Sequence, residues 1–247
     1  MYRKTALFLL VLAAFVVGAC SSQSQPAAGT TAPAATEVPA AAAEEPTTAP
    51  TAPPAESAAA PAADALPDAV TYTVDTAAST ASYGVDEVFL SDNRPFHAVG
   101  TANSVTGSLE VVAAGTPAGR VTQIRVDLRT LTSDSARRDN AIRQRWLESD
   151  TYPYADFVST EALNLPAAYT EGSPVSFTLN GDLTVRDITI PTSWEVTGVL
   201  ADGVITADAT TKVTMSAFGF DPPNIAGMLR ADDGVTLTVH IVAKAQP

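Results

Sequence analysis

VSFTLNGDLTVRDITIPTSWEV, residues 175–196, holds two runs of strict alternation back to back. Val175, Phe177, Leu179, Gly181, Leu183 and Val185 keep one phase; after Arg186-Asp187 the phase passes to Ile188, Ile190, Thr192, Trp194 and Val196. A period of two puts alternate side chains on opposite faces of a strand. A phase switch across two polar residues is how a chain turns back while keeping the same face buried. The stretch therefore predicts a long antiparallel hairpin turning at Arg186-Asp187. Asn-Gly is usually the favoured turn pair, yet the alternation passes through Asn180-Gly181 without a slip. Gly181 is accordingly expected inside a strand, at a bulge or a close backbone approach.

The same pattern extends on both sides. Ile124, Val126 and Leu128 alternate with Arg125, Asp127 and Arg129. A strand is expected from Val204 to Met215 after a turn at Ala201-Asp202-Gly203, and another from Val235 to Ala243. Asp232-Asp233-Gly234 reads as a turn between strands. One segment is helical, Asp134 to Leu147, with Ser133 or Asp134 as N-cap and Ala141, Ile142, Arg145 and Trp146 at helical spacing. It should lie over an end or side of the sheet. Residues 69–247 thus form one all-β antiparallel domain, large enough to bury a core.

The segment before it has another character. Arg3 and Lys4 precede an unbroken apolar run from Ala6 to Val17, too short for the roughly twenty residues a membrane-spanning helix needs but right for an export leader. The run ends Val17-Gly18-Ala19-Cys20, small residues before the single cysteine of the chain. This resembles a bacterial lipobox, so residues 1–19 read as a lipoprotein signal peptide and Cys20 as the site of lipid modification. A lone exported thiol has no disulfide partner within the chain, and two or more acyl chains hold a protein stably at a bilayer. Residues 20–68 are dominated by Ala, Pro, Thr, Ser and Glu, hold nine of the 18 prolines and lack Phe, Tyr, Trp and Ile. Such a stretch cannot build a core; it reads as a disordered stalk with an end-to-end distance of roughly 40 Å or more. The expected location is the cell envelope, outside the cytoplasm, lipid-anchored to a membrane.

Several domain segments together resemble the YceI-like family of lipocalin-like, polyisoprenoid-binding proteins. They are Tyr72-Thr73-Val74-Asp75 with Ser79, Val105-Thr106-Gly107-Ser108-Leu109, and Arg138-Asp139-Asn140-Ala141-Ile142 followed by Leu147, Tyr152-Pro153 and Phe157. Gly181 to Thr189 and a late strand at Ala217-Phe218-Gly219-Phe220 complete the set, over roughly Tyr72 to Lys244. Two positions depart from the family pattern. Asp86 or Glu87 stands near the place of a family histidine, and Asp187 replaces a turn glycine. The resemblance implies an extended eight-stranded antiparallel lipocalin-like barrel with one short helix, enclosing an apolar tube for an isoprenoid or other long-chain lipid.

Other chemistry has little support. The chain carries a net charge of −13, and loss of Arg3 and Lys4 with the leader leaves 12 basic against 27 acidic residues, net −15. That balance repels phosphate backbones and anionic headgroups, so nucleic acid is not an expected partner. His97 and His240 are the only histidines and belong to no motif, and no G-x-S-x-G elbow occurs. No catalytic residue, metal site or cofactor is therefore predicted. Asp86-Glu87 and Asp232-Asp233 lack EF-hand spacing. Arg137, Arg138, Arg143 and Arg145 suit ion pairs with Asp134, Asp139 and Glu148, or a lipid phosphate at a barrel mouth.

The aromatic and sulfur-bearing side chains Phe89, Phe96, Trp146, Phe157, Phe177, Trp194, Met215, Phe218, Phe220 and Met228 are core residues by default. Phe177, Trp194, Met215, Phe218, Trp146 and Phe157 are the candidate ligand contacts. Two readings follow. In one, a membrane-tethered binding or transport protein holds a polyisoprenoid or similar long-chain lipid in its barrel. In the other, a non-catalytic structural or stress-response protein of the envelope has its barrel filled by side chains. A continuous apolar cavity separates them.

Overall fold

A computed structural model describes residues 66–246. The leader, Cys20 and the stalk up to residue 65 lie outside the described residues. Twelve strand segments make up the domain. They are β1 (Val70–Val74), β2 (Thr80–Phe89), β3 (Arg94–Ala102), β4 (Val105–Val112), β5 (Ala118–Asp127), β6 (Thr132–Ser133), β7 (Tyr154–Leu163), β8 (Val175–Val185), β9 (Ile188–Ala201), β10 (Val204–Thr214), β11 (Asn224–Ile225) and β12 (Leu229–Ala245). One helix, α1 (Ala136–Ala141), runs directly into a single π turn over Ile142–Trp146.

These segments merge into eight staves. β12 pairs along its length with β2 and then β1, and β2 and β1 pair in turn with β3 and β4. β1 with β2 and β3 with β4 therefore act as two long, interrupted strands. β6 continues the β5 stave beside β3. The remaining order β5-β7-β8-β9-β10-β12 follows the chain, and the β1–β12 pairing closes the circle. The result is a closed, antiparallel, eight-stranded up-and-down barrel, which leaves no long sheet edge open. Its outer row is polar on β10 and β12, where Asp208 faces His240, Thr210 faces Thr238 and Lys212 faces Thr236. A barrel crossing a membrane needs an apolar band on that surface.

The hairpin of residues 175–196 forms as its alternation predicts. Val185 pairs with Ile188 across the two-residue turn, with Arg186 at a φ of 59°. The turn between β9 and β10 has Asp202 and Gly203 both in the left-handed region, at 51° and 72°, as a type I′ turn requires. Gly181 lies within β8. A Cβ there would sit 2.4 Å from the Val158 carbonyl oxygen and 2.5 Å from the Phe157 ring, and the β7 register slips opposite it between Ser159 and Glu161.

Other expectations are corrected. The helix is N-capped by Ser135, whose hydroxyl accepts from the Arg138 N–H, not by Ser133 or Asp134. Ser133 instead donates to the Asp139 carboxylate at 2.5 Å, and Asp134 pairs with Arg138. Asp232-Asp233-Gly234 is a bulge inside β12, between the pairs at Ala231 and Val235, because the Asp233 carboxylate takes the Ser216 backbone N–H at 2.9 Å and its hydroxyl at 2.5 Å. β12 consequently begins at Leu229. Ala217-Phe218-Gly219-Phe220 is no strand: Ser216–Phe218 is a 3-10 turn ended by Gly219 at a φ of 74°. It swings Phe218, 3% exposed, into the barrel.

Candidate functional site

Alternation on closed staves sends one apolar row from every strand inward. Eight strands leave a barrel just wide enough to be filled by side chains or to hold a small ligand. Here the side chains stop short of filling it. Two chambers occupy the axis, of about 210 Å³ and 200 Å³, each more than tenfold the space one water requires. Chamber one lies at the end of the barrel formed by the β4–β5 hairpin and the β7–β8 connection. Its walls include Leu109, Val111, Phe177, Leu179, Val196 and Ile205. Chamber two lies at the helix end, lined by Val126, Leu128, Leu183, Val213, Leu237 and the underside of the helix-to-π segment, Ile142 and Trp146.

Ile124, Phe157, Trp194 and Val239 border both chambers and form a waist between them. Phe157 and Trp194 meet edge to face, centroids 5.6 Å apart, a favoured arrangement of aromatic quadrupoles. The indole N–H donates to the Thr192 hydroxyl at 3.0 Å, and that hydroxyl donates to the Gly181 carbonyl at 3.2 Å. Gly181 thus has two roles at the waist: its missing side chain admits the Phe157 ring and its carbonyl anchors the chain that orients Trp194.

The six predicted contacts all face this interior. Phe177 is in chamber one, Phe157 and Trp194 are at the waist, and Trp146, Met215 and Phe218 are in chamber two. Phe220 also lines chamber two. Phe89 and Phe96 instead pack on each other, centroids 5.7 Å apart, and Met228 is 43% exposed. Of the four arginines of the helical segment, three are engaged locally and Arg137 is exposed. Arg138 pairs with Asp134 and Glu87, and Arg143 donates to the Leu131 carbonyl and to Asn140. Arg145 lies over Trp146, whereas Glu148 pairs with Arg186 and Asp139 with Ser133.

One feature of chamber two escaped the reading of aromatic and basic residues. β2 turns Ala81, Tyr83, Val85 and Glu87 toward the interior, so a phenol and a carboxylate line an otherwise apolar wall. Glu87 is 7% exposed and lies 3.5 Å from the Arg138 guanidinium. Burial pushes its carboxyl pKa up, against the opposing pull of Arg138. The Tyr83 hydroxyl is buried without a hydrogen-bond partner, and its pKa is pushed up to about 12, chiefly by burial. The signal available in the sequence was a charged residue in phase with apolar neighbours.

No group of three or more His, Cys, Asp and Glu side chains comes together among the described residues. His97 and His240 each hold an aspartate, Asp86 and Asp208, at 2.7 Å on the outer surface. No helix among the described residues is long and apolar enough to cross a membrane.

Known structures share this architecture. The crystal structure of Burkholderia cenocepacia BcnA is 23% identical, with a TM-score of 0.52 over 69% of this chain and 99% of that one. A polyisoprenoid binding domain from Saccharophagus degradans, implicated in plant cell wall breakdown, is 12% identical, with a TM-score of 0.53 over 72% of this chain and 99% of that one. The Campylobacter jejuni YceI protein is 14% identical, with a TM-score of 0.50 over 60% and 85%. At these identities the likeness is one of fold. No curated protein matches the chain. The YceI-like domain matches residues 72–243, well over half of the sequence, and the chain belongs to that family.

Proposed function

We propose that this protein is a non-catalytic lipid-binding protein, anchored to a membrane of the cell envelope through a lipid on Cys20 and holding a long-chain apolar lipid of the polyisoprenoid class in its barrel. The observation that carries the reading is the interior: two apolar chambers in line, joined at a waist of four apolar side chains. A side-chain-filled structural barrel does not fit these volumes. Each methylene transferred from water into such a tube contributes about 0.8 kcal/mol, so an extended hydrocarbon chain gains affinity from length alone. The polyisoprenoid-binding domain with this fold supports the choice of cargo. The lipobox-like run before Cys20 and the Ala/Pro-rich stretch after it support an anchor with a long tether, which would bring the barrel to the bilayer where such a lipid resides. Carrying lipid between sites is the activity this arrangement suits.

Expression of the full chain in a bacterium that lipidates exported cysteines tests both halves. Native mass spectrometry should give a mass above that of the acylated chain by one long-chain lipid, and organic extraction should recover it. Cys20→Ala should move the protein from the membrane to the soluble fraction while the barrel keeps its cargo. Recovery of an empty barrel that also takes up no C20 hydrocarbon overturns the cargo; wild type and Cys20→Ala fractionating alike overturns the anchor.

A further inference from the structure

Inside a barrel whose lining is nearly all hydrocarbon, a polar atom is costly to bury unless something satisfies it. The Trp194 indole has its partner in Thr192, and Ser82 donates to the Thr238 carbonyl. Tyr83, on the wall of chamber two, has none for its hydroxyl. Its position is built by its neighbour. Tyr83 pairs with Gly100 across β2 and β3, and a Cβ on Gly100 would sit 2.3 Å from the Tyr83 ring. Only glycine lets the ring lie there, and β3 keeps its neighbouring inward side chains small as well, with Ala98 and Ala102 each 1% exposed. The wall is recessed where the ring lies against it, with the hydroxyl 2.9 Å from where a Gly100 Cβ would stand.

The surrounding charge decides what such a donor can receive. Glu87 shares the inward row of β2, and Arg138 is its cation, with a side chain only 16% exposed. Arg138 is also held by Asp134, and Asp139 is buried beside it under the helix. One guanidinium therefore faces two carboxylates directly, with a third close by. An incoming phosphate or carboxylate at this wall would meet buried Glu87 and Asp139 beside a guanidinium already shared between two carboxylates, in surroundings where like charges are poorly screened. A neutral oxygen would carry no such penalty, and a tilt of the Tyr83 ring off Gly100 would bring its unpartnered hydroxyl to it.

Building on the lipid-binding reading above, we infer that chamber two is the head-group end of the barrel and selects a lipid with an uncharged, hydrogen-bond-accepting oxygen head, received by the Tyr83 hydroxyl, over the phosphorylated form of the same lipid. The tail then passes the Phe157–Trp194 waist into chamber one.

The test uses the full chain and three C20 isoprenoid probes differing only at the head: geranylgeraniol, geranylgeranyl phosphate and the corresponding headless hydrocarbon. Quenching of Trp146 and Trp194, which line the chambers, reports binding. Wild type should bind the alcohol at least tenfold more tightly than the phosphate. Tyr83→Phe should weaken alcohol binding by five- to tenfold, as expected for one hydrogen bond, and leave the hydrocarbon within twofold. Because the hydroxyl has no partner to lose, Tyr83→Phe should fold with an unchanged or raised Tm. Glu87→Gln should narrow the gap between alcohol and phosphate. Phosphate preferred by wild type, or alcohol binding unchanged in Tyr83→Phe while the hydrocarbon still binds, overturns this inference alone. Failure of all three probes to bind either protein overturns the lipid-binding reading as well.

Discussion

The two chambers are nearly equal in volume but differ in how their polar groups are held. Chamber one is hydrocarbon along its length, and the charge on its wall, Arg120, lies 3.0 Å from Glu110, with both side chains under one-fifth exposed. Glu110 also accepts the Leu66 backbone N–H at 3.2 Å, fastening the entry of the chain to the barrel. Chamber two carries a phenol with no partner and a carboxylate that burial disfavours as an ion. A polar group that closes its own hydrogen bonds contributes to the fold; one left open is poised for a ligand. By that criterion chamber one is built to hold a tail, and chamber two to recognise a head.

The largest expected effect comes from removing the boundary. Phe157, 8% exposed, is half of the aromatic waist. Phe157→Ala should destabilise the barrel by about 3–4 kcal/mol, the usual cost of a large buried aromatic. It should also merge the chambers and move the preferred hydrocarbon toward longer or bulkier chains. Denaturant unfolding measures the first, and a chain-length series of bound hydrocarbons the second. Next in size is selective filling. Ala209 lines chamber one, beside Val196 and Val239 in the sheet. Ala209→Phe should remove space for two or three methylenes and weaken binding of a C20 chain by about 2 kcal/mol, some thirtyfold, while head selectivity persists. Equal loss for a C10 and a C20 probe would break the assignment of chamber one to the tail.

The difference between the chambers was only half legible in the sequence. The hairpin of residues 175–196 was readable because each strand buries one face and the turn costs two residues, so period and phase survive intact. Phe177, Trp194 and Met215, which line the chamber walls, were readable for the same reason, whereas Trp146 and Phe218 lie on helical turns off the strands. The start of β12 was not, because Arg230, Asp232 and Asp233 interrupt its alternation; the bulge that accommodates them depends on Ser216, a partner 17 residues away. The helix cap was placed at Ser133 or Asp134 because both are competent, but their partners Asp139 and Arg138 engage them and leave the cap to Ser135. The motif around Phe218-Gly219 was misread as strand because a left-handed glycine leaves no periodic trace. Tyr83 and Glu87 needed the register of β2 against β3, which sets the ring over Gly100, and the fold-back of α1, which supplies Arg138.

The two carboxylates provide a sharper comparison, since the same substitution should have opposite signs at the two ends. Glu110→Gln removes the charge from a partly buried pair and weakens a backbone hydrogen bond, and should cost about 1–2 kcal/mol. Glu87→Gln should instead leave the protein slightly more stable at neutral pH, by under about 1 kcal/mol. The Glu87 carboxyl has a higher pKa folded than unfolded, so the folded state binds its proton more readily. Ionised Glu87 therefore opposes folding at neutral pH, and that opposition fades as pH falls through the folded value and is gone below the unfolded one. Asp75, Asp127 and Asp233 behave in the opposite sense. Hydrogen bonds from Lys244, Arg129 and Ser216 lower their pKa values, so their stabilisation is present above the unfolded carboxylate range and lost as pH drops through the folded values. Both proteins share that acid loss, and it cancels in the difference. The Tm of Glu87→Gln minus that of wild type should be small and positive at pH 7 and shrink toward zero on acidification. A difference that is negative at pH 7 would mean that the Arg138 pair outweighs burial, making Glu87 a structural partner like Glu110 and leaving Tyr83 alone to distinguish the two ends of the barrel.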